Sequence, residues 1–243
     1  MNTVVMVEPS LVKTAVSGFK YDGSLNLTVA QARDLGAAIG CDYFLLGRAR
    51  LSPRSLAPDQ IIYRAWLGLF LVDARSGKLA HFEFLEHQHS NSDQASHALL
   101  TELESRLPND LDGIHQRLGD ASSSSEPRSQ NIIEINNPQG QTRSVALEPP
   151  RILISSKPVY TKAARTADVT ATVELEVTFL PEGTIGPIEV VRWAGFGLDE
   201  SAIDVARKLK FRPAKLNGQP VACRALVQYK FQLKDSPPGA ATF

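Results

Sequence analysis

The chain has 243 residues, with 26 lysines and arginines against 26 aspartates and glutamates, so its formal net charge is zero. That length suits two domains of ordinary size, and an apolar content of 43% is that of a folded protein. The charge balance gives no case for nucleic acid, which calls for a basic stripe, and no run approaches the roughly 18 apolar residues of a membrane helix.

Val4–Val7 reads as a short apolar strand. Thr28 opens a helix, with Gln31 completing a capping box. Val29, Ala32, Leu35, Ala38 and Ile39 line one face of that helix, and Gly40 ends it. Cys41–Gly47 reads as a buried strand. Gln60–Asp73 is a long strand with Ile61, Tyr63, Ala65, Leu67, Leu69 and Leu71 on one face. Asp73–Lys78 is a hairpin turn, and Leu79–His87 the returning strand. Ser92–Leu107 is an amphipathic helix with Ala95, Leu99 and Leu103 as its stripe.

The Ser-rich, Pro- and Gln-containing stretch 119–149 reads as a flexible linker with one short strand at Ile132–Ile135. It separates residues 1–118 from a second domain at 150–235, followed by a tail, 236–243.

Val169–Phe179 alternates apolar and polar residues, the mark of a strand with one buried side. Pro181-Glu182-Gly183 turns it into a return strand, Ile185–Trp193, which Gly195 and Gly197 end. A helix opens at Leu198 or Asp199, with Ile203, Val205, Ala206 and Leu209 at helical spacing. Arg207, Lys208 and Lys210 are expected in its last turn, and Pro213 is expected to stop it. Asn217-Gly218 makes a tight turn, and Ala222–Leu233 is a second long alternating strand. The fold class is α+β: an N-terminal α/β domain with a mixed sheet, and a C-terminal domain of hairpin, helix and strand.

The stretches KPVYTKAAR (157–165), EVTFLPEGTIGPIEVV (176–191) and GFGLDESAIDVARKLKFRPAKLNGQPV (195–221), with the closing strand, resemble the C-terminal domain of TonB-family energy transducers. Thr161 stands where that family usually has proline after the tyrosine. The resemblance implies a periplasmic domain of a Gram-negative envelope, binding the TonB box of an outer-membrane transporter as an added strand. It points to Ala222–Leu233 as the edge and to Lys157, Pro158, Tyr160, Arg165, Ala222, Arg224, Leu226, Val227, Gln228 and Tyr229 as partner-binding residues. The alternatives are that Ala222–Leu233 is a fully paired strand or pairs with a second copy as a homodimer, the fold then serving as an envelope scaffold without transport. In the N-terminal part, Asp42, Tyr43, Gly47, Asp73, Ser76 and Gly77 carry a similarity to TolB amino-terminal and CsgG-like envelope domains, which implies binding or assembly. The family's membrane anchor and Pro-rich spacer are not in this sequence, so it is expected to be part of a longer protein.

Nothing marks an enzyme: no nucleophile elbow, phosphate loop or dinucleotide signature is present, and no cofactor is expected. His81, Glu83, His87 and His89 share parity on one strand and are zinc-ligand types; a solvent-facing polar side is the plainer reading, and no metal is expected. Arg192, Arg207, Lys208, Lys210 and Arg212 form either a solvated helix end or a contact for an acidic receptor segment. Cys41 and Cys223 are expected to be free thiols, and Trp193 a hydrophobic anchor.

Overall fold

A computed structural model of the chain describes residues 5–19, 21–57, 60–121, 132–135 and 147–233. They fall into two compact units: residues 1–25 with 30–126, and residues 26–29 with 127–243.

The first unit begins with α1 (Pro9–Gly18), not with the strand expected at Val4–Val7. Residues 5–8 are in no regular element, and Val4 lies outside the described residues. Pro9 sits at the start of α1, where its fixed φ and missing N–H suit a helix N-terminus. α2 (Val29–Ile39) buries Ala32, Leu35 and Gly36, while Ala38, expected on the same face, is exposed. Gly36 has a packing reason: a Cβ there would lie 2.4 Å from that of Ala74.

β1 (Tyr43–Ala57), β2 (Gln60–Asp73) and β3 (Leu79–His89) form a three-stranded meander in that order. Both pairings are antiparallel, which corrects the mixed sheet expected for this domain. β1 starts two residues later than the Cys41–Gly47 reading, runs on past Gly47 to Ala57, and is exposed over most of its length, with only Phe44 buried. β2 is buried on both faces. Ala65 meets Leu85 of β3 and Ala95 and Leu99 of α3 (Ser92–Ala121) on one side. On the opposite parity, Trp66 packs by Phe84 and Phe70 against Phe82. Two-sided burial is why Trp66, Phe70 and Val72 join the core although alternation assigns it to their neighbours. At the β2–β3 turn the Asp73 carboxylate accepts from the N–H groups of Arg75 and Ser76, and Gly77 takes φ +71°.

The expected linker lies partly outside the described residues, at 122–131 and 136–146. Its described parts are ordered into elements: 119–121 end α3, Ile133–Ile135 is β4, and Leu147–Glu148 is β5.

The second unit continues with β6 (Arg151–Ile154), α4 (Lys162–Ala167), β7 (Ala171–Phe179), β8 (Ile185–Arg192), α5 (Leu198–Ala206), β9 (Lys210–Arg212), β10 (Ala214–Leu216), β11 (Gln219–Val221) and β12 (Cys223–Phe231). Its main sheet has the order β4-β12-β7-β8, with β6-β9 and β11-β10-β5 as smaller sheets. Gly183 and the Asn217-Gly218 pair take positive φ at the expected turns. α5 ends at Ala206, seven residues before Pro213, so the basic residues are not in its last turn. Arg207 caps the helix, while Lys210 and Arg212 are in β9. Among the described residues, no helix is long and apolar enough to cross a membrane.

Candidate partner-binding edge

β7 and β12 pair antiparallel from Cys223↔Phe179 to Phe231↔Ala171. Ala171, Val173, Leu175, Val177 and Phe179 are buried, with Cys223, Tyr229 and Phe231 on the same face. Trp193, 1% exposed, belongs to this core. The opposite face is polar. Glu174 pairs with Arg192 at 3.2 Å and accepts from Gln228 at 2.9 Å, and Glu176 lies 3.7 Å from Arg224. Such cross-strand pairs fix register at modest gain.

The two flanks of this sheet differ. β8 carries Gly186 and Pro187, and proline has no N–H to give a further strand. Next to it, Asn26–Val29 forms a bridge at Thr28↔Arg192, and the Trp193 N–H donates to Leu27 O. The Asn26 amide substitutes for a strand: it accepts from Thr172 N–H and donates to Thr172 O and Trp193 O. This flank is therefore blunted and partly closed.

β12 forms the other flank. The Ala222 carbonyl accepts from the Ile133 N–H at 3.2 Å, and β4 runs parallel to β12 with Ile133, Glu134 and Ile135 beside Cys223, Arg224 and Ala225. Backbone groups alternate along a strand. If Ala222 points to β4, so do Arg224, Leu226, Gln228 and Lys230, while Val227 and Tyr229 point to β7. Among the described residues no strand pairs with the outer side of β12, the side away from β7, past Ala225. The outward backbone groups of Leu226, Gln228 and Lys230 thus line an open edge, and the Leu226 side chain is 47% exposed. The expectation of a bare edge over all of Ala222–Leu233 is corrected at its first residues, which the chain's own β4 covers.

Of the residues expected to bind a partner, Leu226 and Gln228 are exposed on this edge, Arg224 and Val227 are half-buried, and Tyr229 is buried, its hydroxyl pushed up chiefly by that burial. The Ala222 carbonyl is already taken by Ile133. Lys157 is exposed and Pro158 half-buried. Tyr160 is turned inward at 5% exposure. Its hydroxyl donates to Val169 O at 2.6 Å, and its ring lies 6.5 Å from that of Phe231. Arg165 covers that ring from 5.8 Å and donates to Tyr160 O. Thr161 caps α4, accepting from the Ala164 N–H, and its hydroxyl donates to Phe196 O. Val159 N–H donates to Ser201 Oγ, which leaves the Val159 side chain 68% exposed. Tyr160 and Arg165 thus shape the end of β12 from beneath, and Lys157, Val159 and Leu226 offer side chains at the surface.

Sequence reasoning missed Asp199 and Asn26. Asp199 reads as a helix opener, yet it is buried and its carboxylate accepts from the Ala194 and Gly195 N–H groups at 2.8 Å each. Burial pushes its pKa up to about 6, the two hydrogen bonds opposing and Glu200 adding to the rise. Asn26 lies 146 residues from its partner Thr172, and no local pattern marks it. The strand residues considered as zinc ligands have other partners: His87 meets Glu102, and Glu83 meets Arg106 and His81. Among the described residues no group of three or more histidines, cysteines or acids is set to hold a metal.

The family described as Gram-negative bacterial TonB protein C-terminal matches residues 156–233. The solution NMR structure of the Pseudomonas aeruginosa TonB C-terminal domain is similar at 22% identity, covering 36% of this chain and 89% of that one with a TM-score of 0.31. No curated protein matches the chain.

Proposed function

With residues 156–233 a TonB-family C-terminal domain, we propose that this chain is a TonB-like protein of the Gram-negative cell envelope. It works in the periplasm, binding an extended segment of an outer-membrane transporter or another envelope protein by strand addition in support of energy-coupled transport. It acts by binding, not by catalysis. The observation that carries this reading is the asymmetry of the main sheet. The β8 flank holds Pro187 and is partly closed by Asn26–Val29, whereas among the described residues the outer side of β12 is open from Leu226 to Lys230. An extended peptide meets those backbone groups with hydrogen bonds and sets alternate side chains on the two faces.

The expected occupants are N-terminal segments of outer-membrane transporters. Titrating the labelled chain with such peptides tests this, with Gln228→Pro as the control because it removes an outward N–H. Binding by the natural chain, weakened at least about tenfold in Gln228→Pro through lost edge hydrogen bonds, supports the proposal. Equal binding by both chains, or none by either, overturns it.

A further inference from the structure

The strand that covers the start of the β12 edge comes from the chain itself, and it describes what the edge accepts. β4 runs parallel to β12, with Ile133 beside Cys223, Glu134 beside Arg224 and Ile135 beside Ala225. In-register neighbours project to the same face of a sheet. Ile133 therefore projects on the core side, next to the small side chain of Cys223. Cys223 is fully buried there, and Ile133 is half-buried. Glu134 projects on the polar face, next to the cationic Arg224. Three residues beyond Ile135, Pro138 has no N–H to donate.

We propose that Ile133–Ile135 is a built-in competitor for the partner's strand: it holds the Cys223–Ala225 half of the β12 edge in the partner's place. The partner this edge fits is an extended segment running parallel to β12, with an apolar residue beside Cys223 followed by an acidic one beside Arg224. To take the whole edge, such a segment must first displace β4. Covalent attachment supports so short a strand as a competitor, because a tethered segment acts at an effective concentration on the order of mM. The inference rests on β12 being a strand-addition site.

The test uses the full chain, an Ile133→Pro chain that lacks the N–H donated to Ala222, and a Glu134→Lys chain that sets like charge beside Arg224. The probe is a fluorescent synthetic peptide with the sequence of residues 131–137, NIIEINN, followed by anisotropy. Both variants are expected to bind it about tenfold tighter than the natural chain, as when a tethered competitor is removed whose effective concentration is about ten times its own dissociation constant. Amide exchange at Arg224, slow in the natural chain, is expected to become fast in Ile133→Pro without the peptide. Equal affinity across the three chains, including no binding to any, overturns the inference. So does Arg224 exchange that is the same in the natural and Ile133→Pro chains. Transporter peptides separate this idea from the one beneath it. If they bind all three chains equally, the competitor falls and the transporter reading stands. If they bind none while NIIEINN binds the variants, the transporter reading falls and the competitor stands.

Discussion

Asp199 couples the hairpin to α5 and does so against the cost of burying a carboxylate. Its oxygens satisfy the Ala194 and Gly195 N–H groups, which the tight Trp193–Gly197 turn leaves without strand partners. Burial still outweighs those bonds and raises the pKa from 3.8 to about 6. Between those values the folded chain holds a proton that the unfolded chain has lost. Stability therefore falls as pH rises from about 4 to 6, and the full penalty is present above 6. A shift of this size corresponds to a change on the order of 2–3 kcal/mol. Asp199→Asn should remove that slope, which urea unfolding of both chains at several pH values between 4 and 6 measures. A slope that is the same in both chains would assign the pH dependence to other groups. At Gly36 the constraint is steric. A Cβ there would press on Ala74 at 2.4 Å on its Cβ and 2.9 Å on its Cα, and backbone cannot swing aside as a side-chain tip can. Gly36→Ala should lower stability by about 1–3 kcal/mol, read as a lower thermal midpoint.

The strands show how parity divides the work of a single element. In β12 the odd positions bond to β7 and fill the core, while the even positions face the edge. Two neighbouring proline substitutions should therefore behave differently. Val227→Pro breaks the β12–β7 ladder and should destabilise the domain by roughly 3 kcal/mol or more, a disruption like that of proline in a helix interior. Gln228→Pro removes an outward N–H and should cost about 1 kcal/mol or less. Denaturation of both variants checks this, and equal losses would contradict the assigned parity. The alternation of β7 and β12 is plain in the sequence because each has one buried face, and the turns at Gly183 and Asn217-Gly218 are plain because positive φ favours those residues. β2 hides its second buried face, since a strand covered on both sides has no polar parity to read. The end of α5 is not legible in the sequence, which keeps helical spacing to Leu209 while the backbone leaves the helix after Ala206 to pair β9 with β6. Nothing in Ile132–Ile135 names the strand it joins. Its pairing with β12 spans some ninety residues of sequence and is set by the edge that tertiary packing leaves open.

At the scale of the molecule, a neutral chain has joined two units, one of which contains residues 156–233, the stretch that matches the TonB C-terminal family. That unit has a β12 edge that the chain's own β4 covers at Cys223–Ala225, the edge proposed to take an extended partner. The most direct measurement of this account is amide hydrogen exchange along β12 in the full chain, with and without a saturating peptide from the N-terminal segment of an outer-membrane transporter. Strand addition predicts slower exchange at the outward amides of Leu226, Gln228 and Lys230, with little change at Val227 and Tyr229, which already bond to β7. Protection gained at another surface, or no gain at these three amides when the peptide is bound, would contradict it.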